Sequence, residues 1–171
     1  MAALTEDRHT PYREGVELEH DIATGVKIYG GSLVCLNANG YAAPGADTAS
    51  FKFAGVARER KDNTAGANGD KKIMVRKTGI HRFAASGMSI ADIGKPAFIS
   101  DDQTVAKTGL SNWVGCGKIA EFISATEVGV DIGAIPSAEL DADSSAADVA
   151  TIVTDHNDLL AKLRAAGLLA S

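Results

Sequence analysis

Short apolar runs, punctuated by Gly and Asn, fill residues 16–135 and limit what this chain can fold into. The runs recur about every 8 to 15 residues, and none of them continues as a long helix-like pattern. This spacing is typical of an all-β sandwich or barrel, in which Gly and Asn build the turns between short strands. We therefore predict a compact, mainly β, Gly-rich domain over residues 16–135.

Nine runs in this region have the composition of strands. Asn37 and Gly40 favour a tight hairpin between two of them, because both residue types accept positive φ angles. The small, polar residues 62–70 predict a surface loop. The predicted strands are residues 16–22, 32–37, 40–43, 51–60, 71–83, 96–100, 104–107, 115–123 and 128–132.

The two ends of the chain differ from this domain. Residues 1–15 are polar and contain Thr10-Pro11, which keeps the backbone extended, so we predict an N-terminal arm. Residues 136–144 are small and acidic and predict a linker. In the remaining segment, 145–171, Ser145 and Asp148 have the spacing of a capping box, and Gly167 suits a helix C-cap. We predict one C-terminal α-helix over about residues 145–166.

Apolar residues of the predicted helix follow a three-and-four spacing. Residues at two heptad positions form a seam for self-association, as a homotrimer or, alternatively, a dimer. Val153 and Leu160 widen the stripe, which alternatively suits a helix lying on its own β domain; a capsid-facing or mobile helix is the third interpretation. The seam consists of Val149, Ile152, His156, Leu159 and Leu163.

Charge and cysteine content restrict the function classes. The net charge is −5, and residues 137–171 carry most of it, so the rest of the chain has no basic face of the kind that binds nucleic acid. The apolar runs are too short for a membrane span, and we expect no secretory signal peptide. Cys35 and Cys116 form no CxxC motif, so we expect reduced, buried thiols and no cysteine zinc site.

Chemistry-bearing residues do not form a recognisable catalytic motif. Cys116 between two glycines favours a small packed residue over a nucleophile, and residues 66–72 lack the spacing of a phosphate-binding loop. Asp101-Asp102 is typical of a solvated hairpin turn. The residues alone thus predict no enzyme, no cofactor and no metal; a small hydrolase using His20, His81 and Asp101 is a minor alternative. The four histidines are scattered, without a metal-binding spacing, at His9, His20, His81 and His156.

Four segments, taken in order, resemble the capsid cement, or head decoration, proteins of tailed bacteriophages. The first is Thr10-Pro11-Tyr12-Arg13-Glu14-Gly15, and the other three are residues 23–48, 62–83 and 94–108. The resemblance covers about residues 8–132 and rests on the combined order of the segments. The C-terminal helix is not a constant part of the family pattern.

The resemblance implies a structural virion protein on the outer capsid surface, where it cross-links major capsid subunits against the pressure of packaged DNA. Its fold would be a barrel, a jelly roll or a tulip-like β-sheet. The extended arm suits strand addition to a partner's sheet edge, with Thr10, Pro11, Tyr12 and Arg13 as capsid-binding residues. A head-surface fibre or adhesin module that displays loops such as 62–70 to a host is the alternative function.

Overall fold

The computed structural model of the chain describes residues 8, 10, 12, 14–134 and 149–165. Within this part, strands predominate, which confirms the predicted mainly β class. A 3-10 helix, Ile90–Asp92, and an α-helix, α1 (Val149–Ala165), complete it. The strands are Glu17–Asp21 (β1), Lys27–Ile28 (β2), Leu33–Leu36 (β3), Ala42–Pro44 (β4), Lys52–Ala57 (β5), Lys61–Asp62 (β6), Lys72–Arg76 (β7), Ile80–Ala84 (β8), Pro96–Ile99 (β9), Val105–Ala106 (β10), Gly115–Ser124 (β11) and Glu127–Asp131 (β12).

Consecutive halves of the chain build two five-stranded antiparallel sheets. The N-terminal sheet has the strand order β1-β7-β5-β3-β4, and the C-terminal sheet has the order β10-β9-β11-β12-β8. Two further strands of the first half, β2 and β6, pair with each other in a small two-stranded sheet. The chain therefore completes one five-stranded sheet before it begins the other.

Each five-stranded sheet curls until its two edges meet at one point. Ile22, directly after β1, bridges Ala42 in β4, and Ala84 in β8 bridges Thr104, directly before β10. Pairing stops at these single bridges, so neither sheet forms a closed barrel within the described residues. The arrangement is compatible with the sandwich that the sequence predicts.

Two apolar cores hold the sheets. The first core joins both five-stranded sheets, since Leu33, Cys35 and Val56 pack with residues such as Phe83 and Ile99. The second core lies between the N-terminal sheet and the small sheet; its buried residues are Ile22, Ile28, Val34, Ala42, Ala54, Ala57, Ile73 and Val75. The first core therefore makes the stability of one half depend on the other.

Strand β3 contributes to both cores. Leu33 and Cys35 face the first core, while Val34 faces the second, and all three side chains are fully buried. Because successive residues of a strand point to opposite faces, a strand buried on both sides is apolar at every position. This explains the unbroken apolar sequence of β3.

The predicted hairpin around Asn37 is confirmed, because β3 pairs with β4. The side-chain Oδ1 of Asn37 accepts hydrogen bonds from the backbone N–H groups of Asn39, at 3.0 Å, and Tyr41, at 3.1 Å. Gly40 has φ +82°, a left-handed conformation that glycine adopts without steric cost. The turn therefore depends on the two residues, Asn37 and Gly40, from which the sequence predicts it.

The prediction of one strand over residues 71–83 is wrong. The chain leaves the N-terminal sheet after Arg76 and enters the C-terminal sheet at Ile80, with Gly79 at φ +101° in the turn between them. Val75 enters the second core and Phe83 the first. The apolar alternation stops at Lys77, directly after β7 ends, so the break in the pattern coincides with the change of sheet.

The predicted strand over residues 51–60 is also too long. β5 ends at Ala57, and the exposed residues 58–60 lead into the separate strand β6. Arg58 Nε pairs with Glu17 at 2.9 Å, and the Arg60 guanidinium lies 5.4 Å from the centre of the Tyr29 ring. Both arginines thus make surface contacts where the prediction placed a continuing strand.

Helix α1 confirms the presence of a C-terminal helix. The predicted linker at 136–144, the capping box at 145–148 and the end at 166–171 lie outside the described residues. Among the described helices, none has the length and apolar character to cross a membrane.

Candidate functional site

The predicted capsid-binding arm is described at two of its four named residues. Thr10 and Tyr12 are exposed, and Tyr12 retains 89% of its surface. Pro11 and Arg13 lie outside the described residues. The Tyr12 ring is therefore available to a second molecule, and an aromatic ring is a frequent anchor of protein interfaces.

The arm leads into β1, an edge strand of the N-terminal sheet. Lys77 N donates to Val16 O, and Ile22 N donates to Lys71 O, so the even-numbered residues of this segment direct their backbone groups toward β7. In an antiparallel ladder the intervening residues point the other way. The backbone groups of Glu17, Glu19 and Asp21 therefore face the outer edge of the sheet.

Ion pairs fix β1 to its own sheet. Glu17 Oε1 lies 2.9 Å from Arg58 Nε and 2.8 Å from Arg76 Nη2. Asp21 makes a longer pair, 3.7 Å from Lys72 Nζ. The strand that follows the arm is thus held to its own sheet by ion pairs at both of its ends.

The predicted surface loop 62–70 is organised by one buried amide. Asn63 has no exposed surface, and its Nδ2 donates to the carbonyl oxygens of Ala23 and Ala67, both at 2.9 Å. Its Oδ1 has no hydrogen-bond partner among the described residues. Because Asn63 ties the loop to Ala23 from inside, the loop has a fixed shape.

An open cavity of about 410 Å³ lies beside this loop and is lined by residues 62–66, 70 and 71. Oppositely charged side chains form pairs there. Asp62 lies 2.8 Å from Lys27 Nζ, and Lys71 donates to the Asp62 carbonyl oxygen. The hydrogen bond from Lys27, together with those from Thr64, lowers the pKa of Asp62 below its usual value. The cavity therefore combines paired charges with backbone groups.

Asp92, at the end of the 3-10 helix, is a buried carboxylate that sequence analysis missed. Lys95 lies 3.0 Å from its Oδ1 and Lys107 3.0 Å from its Oδ2, and the Ser89 N–H donates to the same Oδ2 at 2.8 Å. Hydrogen bonds from Lys107 and Lys95 lower the pKa of Asp92 below its usual range. This cluster ties the 3-10 helix to the segment after β10.

The cysteines confirm the expectation of buried, reduced thiols. Both are free and both belong to the first core. Burial raises the pKa of Cys35 and of Cys116 to about 12, so neither forms the nucleophilic thiolate near neutral pH. Cys116 Sγ lies 3.4 Å from the Ala97 carbonyl oxygen, as expected for a small packed residue.

The three residues of the hydrolase alternative lie on different elements. His20 is on β1 and has a pKa lowered by burial and by Lys77, whereas His81 is on β8 and stacks on Phe83 at 6.4 Å. Asp101 Oδ1 accepts two backbone N–H groups of the β9-β10 turn. Within the described residues, no three His, Cys, Asp or Glu side chains are grouped so as to hold a metal ion.

Two further interpretations of the sequence are confirmed. The glycine-containing segment 66–72 leads into strand β7 and not into a helix, so it lacks the helix N-terminus of a phosphate-binding loop. Asp101-Asp102 lies in the turn that joins the paired strands β9 and β10.

Helix α1 exposes much of its predicted seam. Val149 keeps 75% of its surface exposed, Ile152 54% and Leu159 39%, and His156 is exposed as well. Leu163, nearer the end of the helix, is half-buried. The first half of the seam is therefore not covered within the described part of the chain.

Asp92 left a signal in the sequence that could have located it. Ser89 and Asp92 have the spacing of a capping box, and both reciprocal contacts are present. Asn63 left no comparable signal, because its two carbonyl partners, Ala23 and Ala67, are positioned by the tertiary fold.

A scan against protein-family models, a search of curated proteins and a search of solved structures each found no match to this chain.

Proposed function

We propose that this protein is a structural virion protein that binds the outer surface of an icosahedral bacteriophage capsid and cross-links neighbouring major capsid subunits. The sequence resemblance supplies the class of partner. The exposed Tyr12 carries the proposal structurally, because the ring extends from a segment that leads directly into a sheet edge. In this role the protein makes and breaks no covalent bond.

The arm binds by adding its backbone to an exposed strand of a capsid subunit. Backbone hydrogen bonds supply affinity in this mode of recognition, while side chains in pockets supply specificity. Tyr12 fills such a pocket, and Arg13 pairs with an acidic group beside it. The ion pairs of Glu17 keep β1 in its own sheet, so the arm is connected to a strand that is fixed in the β domain.

The β domain transmits force between the contacts that the protein makes with different capsid subunits. The first core joins the two five-stranded sheets, so displacing one sheet from the other exposes apolar surface. Self-association through α1 adds contacts between copies, and linked copies gain avidity on a repeating lattice. Each copy therefore needs only a modest interface with the capsid.

Deletion of residues 2–14 tests the arm. The shortened chain should keep the melting temperature of the full chain but lose co-sedimentation with empty capsids that lack this protein. Tyr12→Ala should weaken binding about 10-fold or more, as the loss of an interface anchor does. Tyr29→Ala is the control, since Tyr29 is 53% exposed but lies outside the arm. Full binding by the shortened chain would exclude a cementing role for the arm.

Capsid stability tests the function itself. Heads that carry the protein should survive heating and low salt better than heads that lack it, and adding the purified full chain should restore the difference. Equal survival of both kinds of head would contradict the proposal.

The cavity beside loop 62–70 favours one alternative, a head-surface adhesin module. Its fixed shape, set by the buried Asn63, suits recognition of a small polar ligand such as a host glycan. Glycan-array binding that disappears in Asp70→Asn, together with an absence of capsid binding, would support the adhesin in place of the cement protein.

A further inference from the structure

One buried oxygen atom of the β domain lacks a hydrogen-bond partner. Asn63 has no exposed surface, and its Oδ1 accepts no hydrogen bond within the described residues. The orientation of the amide is fixed, because Nδ2 donates to the carbonyl oxygens of Ala23 and Ala67 and an oxygen in its place could not donate. A buried acceptor without a partner is unfavourable, so a ligand that reached Oδ1 would stabilise the loop.

Asp70 directs a second oxygen atom to the same place. A Cβ added to Gly66 would overlap Asn63 Oδ1 and lie 3.2 Å from Asp70 Oδ2. Both oxygens therefore lie on the side of Gly66 where any other residue carries a side chain. Asp70 forms no ion pair with the described residues, and its Oδ2 accepts the Ala67 N–H at 2.7 Å. An amide oxygen and a carboxylate without a cationic partner thus converge beside Gly66.

The open cavity beside the loop connects this place to solvent, because both Asn63 and Asp70 line it. Two ammonium groups lie nearby, and both are held at Asp62. Lys27 pairs with the Asp62 carboxylate at 2.8 Å, and Lys71 donates to the Asp62 carbonyl oxygen. The carboxylate of Asp70 therefore remains free to bind a cation, although the neighbouring lysines lower the affinity for one.

The distance of closest approach selects the ligand. Hydrogen-bonding groups such as water approach an oxygen to about 2.7–3.0 Å, whereas Ca²⁺ binds oxygen at about 2.3–2.6 Å. Because Asn63 is closed off from solvent, the closer approach is needed to reach Oδ1. Mg²⁺ approaches more closely still, but it requires near-ideal octahedral geometry and keeps several of its own water molecules. An amide oxygen, a carboxylate and an open, water-filled side suit Ca²⁺ best.

We propose that loop 62–70 binds a calcium ion through Asn63 Oδ1 and the Asp70 carboxylate, with water in the cavity completing the coordination. A site with few protein ligands is weak, so we expect a dissociation constant of about 10⁻⁴–10⁻³ M. Its single carboxylate agrees with the absence, among the described residues, of three grouped His, Cys, Asp or Glu side chains. The inference goes beyond capsid binding, since the bound ion would fix the shape of a surface loop.

Calcium titration of the purified full chain tests the site. After treatment with a chelator, the side-chain amide resonances of Asn63 in the NMR spectrum should shift saturably, with a dissociation constant of about 0.1–1 mM. This measurement needs no variant, because Asn63 itself reports whether an ion reaches its oxygen. Asn63 resonances that do not respond to calcium would overturn the proposal.

Asp70→Asn removes the carboxylate of the site and should weaken calcium binding at least about 10-fold. The substitution is mild, since the asparagine oxygen can still accept the Ala67 N–H. Asp101→Asn is the matched control, because Asp101 also accepts backbone N–H groups in a turn but lies outside the cavity. The control should keep the wild-type affinity, and an unchanged affinity of Asp70→Asn would exclude Asp70 as a ligand and contradict the site.

Thermal unfolding gives an independent result, since a ligand that binds only the folded state raises the melting temperature. About 10 mM CaCl₂ should raise the melting temperature of the wild type by about 3 °C or more and that of Asp70→Asn by less than about 1 °C. MgCl₂ at the same concentration should have less than about half the effect on the wild type. Equal effects of the two salts would show general charge screening and overturn the proposal. All these measurements use protein without capsids, so their failure leaves the capsid-binding role untouched.

Discussion

Gly66 occupies a position in loop 62–70 that has no room for a side chain. A Cβ added there would overlap Asn63 Oδ1 and approach Asp70 Oδ2 to 3.2 Å. The loop gains its shape from the two hydrogen bonds that Asn63 Nδ2 donates, so moving this amide loosens the whole loop. The local fold is therefore sensitive to substitution at a residue with no side chain of its own.

Gly66→Ala should lower the free energy of unfolding by about 1–3 kcal/mol, as overpacking of a well-packed site does. Urea denaturation measures this loss. Gly15→Ala is the control, because a Cβ at Gly15 meets no atom within 4 Å, and its effect should stay within about 0.5 kcal/mol. Equal stability of the two variants would show that the Asn63 amide is not fixed.

The lowered pKa of Asp92 predicts that the stability of the folded protein depends on pH. The folded-state pKa of this residue lies below the unfolded value, so its contribution is complete above about pH 4 and disappears as the pH falls through the lowered pKa. Asp92→Asn should lower the melting temperature by several degrees at pH 7, because Lys95 and Lys107 lose their shared carboxylate. The variant should also lose less stability than the wild type when the pH is lowered from neutral to about 2.

Thermal scans at a series of pH values test this prediction, with Glu19→Gln as the control because Glu19 is exposed. The control should follow the wild-type curve. If Asp92→Asn retained the full acid dependence, other carboxylates would carry it.

At the scale of elements, the sequence predicted strands well where turn chemistry marks their ends. The β3-β4 hairpin was located because Asn37 and Gly40 have conformational preferences that act locally. The division of residues 71–83 between two sheets was missed, because the apolar pattern of β7 and β8 does not record which core each strand enters. Strand identity is a local property, whereas sheet membership depends on distant residues.

The same distinction between local features and contacts with distant residues applies to the candidate site. The exposure of Tyr12 and the seam of α1 were accessible to sequence patterns, since an isolated aromatic residue and a heptad spacing are local features. The contact of Lys107 with Asp92 links residues on different elements and has no local signature. The sequence therefore indicated the surfaces of this molecule better than its buried polar contacts.

Burial of β3 on both faces predicts unusual sensitivity to a polar atom. Val34→Thr replaces a methyl group with a hydroxyl in the second core and should cost about 1–3 kcal/mol in urea denaturation. Val16→Thr makes the same change where 42% of the side chain is exposed, and it should cost less than about 0.5 kcal/mol. A small effect at Val34 would show that the second face of β3 is solvated.

At the scale of the whole molecule, two curled sheets formed by consecutive halves of the chain share one core. Leu33, Cys35 and Val56 belong to the first half, yet they pack among residues of the second half. Two sheets with separate cores could unfold one after the other. Because the first core is common to both, we expect the β body to unfold in a single cooperative transition.

Leu33→Ala tests this cooperativity, because it alters the N-terminal sheet while the single tryptophan, Trp113, reports on the other half. The Trp113 ring packs edge-on against Phe98 of β9, 5.3 Å between ring centres. The truncation should cost about 2–5 kcal/mol, and fluorescence and circular dichroism should give the same shifted midpoint in urea. If the two sheets unfolded independently, the fluorescence midpoint would stay at its wild-type value while circular dichroism split into two transitions. A coincident shift instead means that strain applied to either sheet is resisted by the packing of both, as the proposed cross-linking of capsid subunits under internal pressure would require.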